Sequence, residues 1–187
     1  GLQYPLLRAI SEPEALEYVL IVSGAHLDGK FGDSIQEIKN SGFKVHSEVT
    51  LDLLEDSLVG TAQAIGTGIV SISKALQKLA PDVLLVYGDR FETFAAAIAA
   101  SQMGIPIAHV EGGDLTEGGA LDDSVRHAIS KLSHIHFTTN IQATNRLLAM
   151  GEESWRVHTV GLPSIDSMKI QDFATPQELV AQYGIKI

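Results

Sequence analysis

Short apolar runs alternate along this chain with stretches of helical periodicity, each bounded by glycine, proline or small polar residues. Residues 18–23 (Tyr18-Val-Leu-Ile-Val-Ser23) read as a buried strand stopped by Gly24, and residues 43–49 alternate as a strand does. Between them, residues 33–40 put Ile35 and Ile38 on one helical stripe, ended by Gly42. Residues 57–79 carry Val59, Ala62, Ile65, Ile69, Ile72, Leu76 and Leu79 at mostly helical spacing. Glycines at 60, 66 and 68 weigh against an unbroken helix there.

Residues 82–87 form the clearest strand, apolar on both faces as expected of a central parallel strand covered on both sides. An alanine-rich helix (91–103), a strand (105–110) and a glycine-rich loop follow. Residues 123–132 read as a helix with Val125, Ala128, Ile129 and Leu132 on one stripe. Then come a strand (135–139), a helix (141–150) and a strand (157–160). Thr175-Pro-Gln-Glu178 has the form of a capping box with proline at the first helical position, opening a short helix that runs to about Tyr183. Such alternation predicts an α/β fold: a Rossmann-like, open, mostly parallel sheet with helices on both faces. Residues 1–10 already look helical with no strand before them. The expectation is therefore one Rossmann-like domain over 1–187 that lacks its first strand and the phosphate-facing loop after it.

Composition narrows the picture. With 187 residues, 45% hydrophobic and 19% charged, the chain is long and apolar enough for its own core. It has no cysteine, which excludes disulfides, thiolate metal sites and a cysteine nucleophile. A net charge of −10 argues against a nucleic-acid partner. No apolar run approaches the ~18 residues of a membrane helix, and no signal peptide is visible, so the expected location is cytoplasmic and away from membranes.

Ligands of open parallel sheets bind beyond the carboxyl ends of the strands. Those ends carry Ser23-Gly-Ala-His26, then Gly88-Asp89-Arg90, then Glu111-Gly112-Gly113-Asp114, preceded by His109. A loop containing Glu117-Gly-Gly-Ala120 leads on to Asp122-Asp123-Ser124-Val-Arg126-His127. Asp89 reads as an acid or base, or as a strand-end residue that caps the next helix or pairs with Arg90; Arg90 suits an anion such as phosphate. Glu111 follows an apolar strand, where desolvation lifts a carboxyl toward the range useful for proton transfer; otherwise it is a loop residue in water. Gly112 and Gly113 admit a ligand to the backbone or make a turn. Asp122 and Asp123 read as an N-cap and a dipole partner, or as further carboxylates of one site whose charge Arg126 offsets. His109 in an apolar strand reads first as a core histidine. His134 and His136 share a face at a spacing that suits metal, but no third ligand is evident and a structural role is expected. His26 is left open. Alone, these residues predict a carboxylate-rich cleft acting on an anionic small molecule.

Three stretches together resemble the UDP-N-acetylglucosamine 2-epimerase family: Val86-Tyr-Gly-Asp-Arg-Phe91, His109-Val-Glu-Gly-Gly113, and Leu121-Asp-Asp-Ser-Val-Arg-His-Ala-Ile-Ser-Lys-Leu-Ser-His134. Ile21-Val-Ser-Gly-Ala-His-Leu27 and Gly161-Leu-Pro-Ser-Ile-Asp166 fit as well. The Asp-Asp-Ser-x-Arg-His start resembles the hydrolysing branch, which feeds sialic and related nonulosonic acid synthesis. The resemblance implies the N-terminal half of a glycosyltransferase-B-like, two-domain enzyme, without its C-terminal domain. It implies release of UDP from UDP-N-acetylglucosamine through a glycal, whose rehydration gives N-acetylmannosamine. Alternatives are another UDP-sugar such as the diacetylbacillosamine derivative, the non-hydrolysing reaction, or a non-catalytic nucleotide-sugar-binding module. Carried over by motif, Asp89, Glu111 and either Asp122 or Asp123 are catalytic. Gly88, Arg90, His109, Gly112, Gly113, Ser124 and Arg126 are substrate-binding. No metal or redox cofactor is implied, the assembly is a homodimer or larger, and the 187 residues alone are expected to be inactive.

Overall fold

In a computed structural model of the chain, the apolar run Ile107–Val110 becomes its most buried strand, with all four residues shielded from solvent. The structure describes residues 3–12, 14–29, 34–51, 57–116, 121–170 and 174–184. Two compact units are present, one formed by residues 1–16 and 162–187 and the other by residues 17–161.

The larger unit holds six strands and five α-helices among the described residues. In chain order these are β1 (Leu20–Ser23), α2 (Ser34–Asn40), β2 (Val45–Val49), α3 (Leu58–Leu79), β3 (Leu84–Tyr87), α4 (Phe91–Gln102), β4 (Ile107–Val110), α5 (Leu121–Leu132), β5 (Ile135–Thr138), α6 (Ile141–Ala149) and β6 (Val157–Thr159), with α1 lying in the other unit. β1 pairs with β2, and β3, β4, β5 and β6 form a parallel ladder in that order. The register sets Tyr87 beside Val110 and Val110 beside Phe137, so the chain segments after β3, β4 and β5 emerge at one edge.

The α/β reading holds, with two corrections. β3 is not central: it ends the four-stranded ladder, where Val83 is 50% and Leu85 38% exposed. β4 takes the interior place. The second concerns α3, which runs unbroken through its glycines. Ser57 caps it by accepting from the Gly60 N–H at 3.0 Å, and Ala80 in the left-handed conformation ends it before Pro81. Gly68 explains itself: a Cβ there would lie 2.7 Å from Leu51 Cδ2 and 3.1 Å from Ala95 Cβ, so glycine lets α3 approach α4. Ile72 and Leu76 of α3, the α4 alanines, Val86, Ile107 and Ile129 form the core.

The smaller unit contains α1 (Tyr4–Ser11), which packs on α7 (Pro163–Ile170), and α8 (Pro176–Tyr183). The predicted capping box is formed: Thr175 Oγ1 accepts from the Glu178 N–H, and Glu178 accepts from the Thr175 N–H at 2.7 Å. Helix α7 has no counterpart in the sequence reading, because its apolar residues are too few to mark a stripe.

Candidate active site

Three chain segments meet at the carboxyl edge of the ladder: those after β3 and β4, and the first turns of α5. Glu111 directly follows β4 and bends back at once, with φ +67°. Its N–H stays on the ladder through Phe137 O at 3.0 Å. Its Oε1 accepts from the Tyr87 hydroxyl at 2.6 Å. Burial raises the Glu111 carboxyl above its ordinary range; Tyr87 and Arg126 oppose the rise, while Asp114 and Asp89 add to it. A Cβ at Gly88 would sit 3.7 Å from Glu111 Oε2, so this glycine keeps the space beside that oxygen open.

Arg126 gathers the acidic residues. From the second turn of α5 it donates to Asp89 Oδ2, and its Nη1 lies 3.4 Å from Asp123 Oδ1. Asp123 Oδ1 also accepts from the Thr116 N–H at 2.8 Å. All three side chains are largely buried, which makes them one ion cluster of a cation shared by two carboxylates rather than three surface ions. Asp89 is therefore neither an N-cap of α4 nor the partner of Arg90. α5 begins at Leu121, earlier than expected, so both aspartates fall inside its first turn. Asp122 is exposed and makes no hydrogen bond or ion pair among the described residues; Ser124 is exposed too.

His109 is shut away from solvent. It is fully buried, with Nε2 2.9 Å from Gly88 O and Nδ1 3.1 Å from Ser130 Oγ. A carbonyl only accepts, so Nε2 carries the hydrogen, while Ser130 Oγ beside Nδ1 also has the Arg126 carbonyl oxygen at 3.0 Å as an acceptor for its one hydrogen. Desolvation lowers its pKa to about 4, only partly offset by the Gly88 bond, and the ring is neutral near pH 7. The apolar strand around it, buried on both faces, makes His109 a satisfied core histidine in this chain, the first of the two readings of its sequence.

The remaining residues divide in the same way. Gly112 makes room for the His109–Ser130 contact, since a Cβ would lie 3.0 Å from both. Gly113, at φ +82°, packs where a side chain would overlap the Ala143 carbonyl oxygen. Both glycines thus answer to packing within the chain. Arg90 is 65% exposed, rests on Phe91 and bonds to Glu92 at 3.2 and 3.3 Å, apart from the Asp89 group. Residues 117–120, which the sequence reading placed in the loop before α5, lie outside the described residues.

At the opposite edge, Glu152 is buried among Lys131 Nζ (2.6 Å), Arg156 Nη2 (2.5 Å) and His136 Nε2 (3.3 Å). His134 Nδ1 accepts from the Ile107 N–H at 3.2 Å. His136 and His134 thus make contacts to different parts of the scaffold.

A sequence profile of the UDP-N-acetylglucosamine 2-epimerase family matches residues 8–185. The chain belongs to this family. It is 35% identical over 184 residues to the UDP-N,N′-diacetylbacillosamine 2-epimerase (hydrolyzing) of Legionella pneumophila, covering 98% of this chain and 48% of that protein. It is 34% identical over 181 residues to the UDP-N-acetylglucosamine 2-epimerase of Neisseria meningitidis serogroup B, covering 97% and 47%. The chain thus spans about half the length of these relatives. The crystal structure of the N. meningitidis UDP-GlcNAc 2-epimerase bound to UDP-GlcNAc shares the fold, with a TM-score of 0.77 at 24% identity over 90% of this chain and 45% of that one.

For a chain of the 2-epimerase family, sequence reasoning gave no role to three residues near the carboxylates, of which it named Asp114 at the strand end. Tyr87 was hidden in an apolar strand. Asp114 accepts from Thr139 Oγ1 at 2.7 and 2.9 Å and bears electrostatically on Glu111. Its position after Glu-Gly-Gly was the available signal. Arg146, which donates to Gly113 O, lies on α6 with nothing in its local pattern to mark it.

Proposed function

We propose that this chain carries the proton-transfer half of a hydrolysing UDP-N-acetylglucosamine 2-epimerase. The observation that supports it is the gathering of Glu111, Asp89 and Asp123 at one sheet edge around a single buried arginine, with Asp122 next to Asp123 in the first turn of α5. Removing a proton from C2 of the sugar needs a carboxylate held in place and partly desolvated, and Glu111 has both properties. The C2 proton passes to a carboxylate, the C1–O bond breaks, and UDP leaves with the electron pair to give a 2-acetamidoglycal. Water then adds to the glycal with a proton returned to the other face of C2, giving N-acetylmannosamine.

The two adjacent aspartates divide the work. Asp123 is committed to Arg126 and to the Thr116 amide, so its role is to hold the site together. Asp122, exposed at the start of α5, has its oxygens available for a substrate proton. Arg126 is spent on its ion pairs with Asp89 and Asp123. The exposed Arg90 is the better group for the phosphates of UDP.

A second sugar, UDP-N,N′-diacetylbacillosamine, is supported by the equal likeness to the Legionella relative. Both sugars, offered to the full-length protein in deuterated water, test the reading. Expected are UDP release and a C2-epimeric free sugar carrying deuterium at C2. An epimerised sugar still attached to UDP would show the non-hydrolysing reaction, and binding without turnover would show a non-catalytic module.

A further inference from the structure

We infer that Tyr87 is the positioning residue for Glu111: its hydroxyl hydrogen fixes one carboxylate oxygen and leaves the other for the substrate proton. This rests on Glu111 being a proton-transfer group. Glu111 sits at φ +67°, a backbone conformation that residues with a Cβ rarely adopt. That turn throws its side chain sideways from the end of β4 to the end of β3. Tyr87 pairs in register with Val110, one residue before Glu111, so its hydroxyl meets the carboxylate at 2.6 Å. Oε2 is the oxygen left over, beside the space that Gly88 keeps open.

The hydroxyl is a donor in fact as well as in form. Burial and the nearby negative charges of Glu111 and Asp114 push Tyr87 well above the ordinary tyrosine range, so it keeps its proton at any working pH. A hydrogen bond given to a carboxylate favours the ionised form. Around Glu111, burial, Asp114 and Asp89 push toward protonation; Tyr87 and Arg126 push toward ionisation. Tyr87 is thus one of two groups that oppose the rise in this desolvated carboxylate's pKa, and it also fixes the carboxylate's orientation.

The test is the pH profile of kcat/KM for the full-length protein, on whichever of the two UDP-sugars it turns over. Glu111→Gln should lower turnover by about 10² or more. Tyr87→Phe should lower kcat about tenfold, with KM changing less than about twofold. The limb that reports Glu111 should move up by about 1 pH unit. Replacing Tyr87 with 3-fluorotyrosine gives a more acidic donor and should move the same limb down. This second variant keeps the ring and its packing, and it carries the test alone if Tyr87→Phe does not fold. Loss of activity in Glu111→Gln with unshifted profiles in both Tyr87 variants would overturn the inference while leaving the proton-transfer reading intact. Near-normal activity in Glu111→Gln would remove that reading and the inference with it.

Discussion

Asp89 and Arg126 are 37 residues apart in sequence and form an ion pair at the carboxyl edge of the sheet, with the guanidinium reaching on to Asp123. Arg126 therefore sits between two carboxylates and offsets part of their mutual repulsion. Replacing it with methionine keeps most of the packing and removes the charge. Denaturant unfolding should then show a loss of about 3 kcal/mol or more, because two half-desolvated carboxylates are left facing one another. An unchanged midpoint would mean that solvent already screens the group.

The neighbouring aspartates should respond in opposite ways. Asp122→Asn should lower turnover by about 10² with little change in stability, because the side chain is exposed and uncommitted. Asp123→Ala should cost about 1–3 kcal/mol, because the Thr116 amide and Arg126 each lose an acceptor. Paired kinetic and thermal measurements on the two variants check this, and the reverse pattern would exchange the two roles.

Stability should fall in acid partly through His109. Its pKa in the folded state is about 4, below the 6.5 of a free imidazole. Between those two values the unfolded chain binds a proton that the native ring refuses. The contribution is thus complete above about pH 6.5 and is lost as pH falls toward 4, to the extent of about 3 kcal/mol. His127 and His136 are also lowered by burial and act in the same direction. His109→Gln keeps a donor for Gly88 O and should remove only the His109 share, which urea titrations at pH 7 and pH 4.5 would measure.

Two glycines give a contrast in stability. Gly113→Ala places a Cβ against the Ala143 carbonyl at φ +82° and should cost more than about 2 kcal/mol. Gly66→Ala, in the interior of α3 with nothing within 4 Å of the added carbon, should gain about 0.8–1 kcal/mol. Thermal unfolding of both variants checks the pair.

At the far edge of the ladder, Glu152 is buried with two cations and a histidine. Burial pushes its carboxyl up, but Lys131, Arg156 and His136 outweigh that and hold it below the ordinary range. Glu152→Gln should destabilise the fold by about 3 kcal/mol, since the cations lose their counter-charge. Catalysis at the opposite edge should persist, as activity assays below the unfolding temperature would show.

Local pattern was enough to place the strands and most helices, because a strand of β-branched and aliphatic residues or a helix with an apolar stripe announces itself within a few positions. Residues 107–110 and the capping box at Thr175 were legible for that reason, and so was the edge at which acidic residues collect. Packing decided the rest. On α5, Asp122 and Asp123 differ in direction by about 100°, and only the docking of Ile129 and Val125 into the core turns Asp123 toward Arg126. His109 owes its neutrality to burial on both faces of β4, and Glu111 owes its raised pKa to burial and to the charges of Asp114 and Asp89, which a cross-strand tyrosine and Arg126 oppose. The order of residues thus determined which chemical groups exist and which edge they reach. Tertiary contacts decided which of them are paired, which are free and which titrate, because desolvation and charge act through space, independently of distance along the chain.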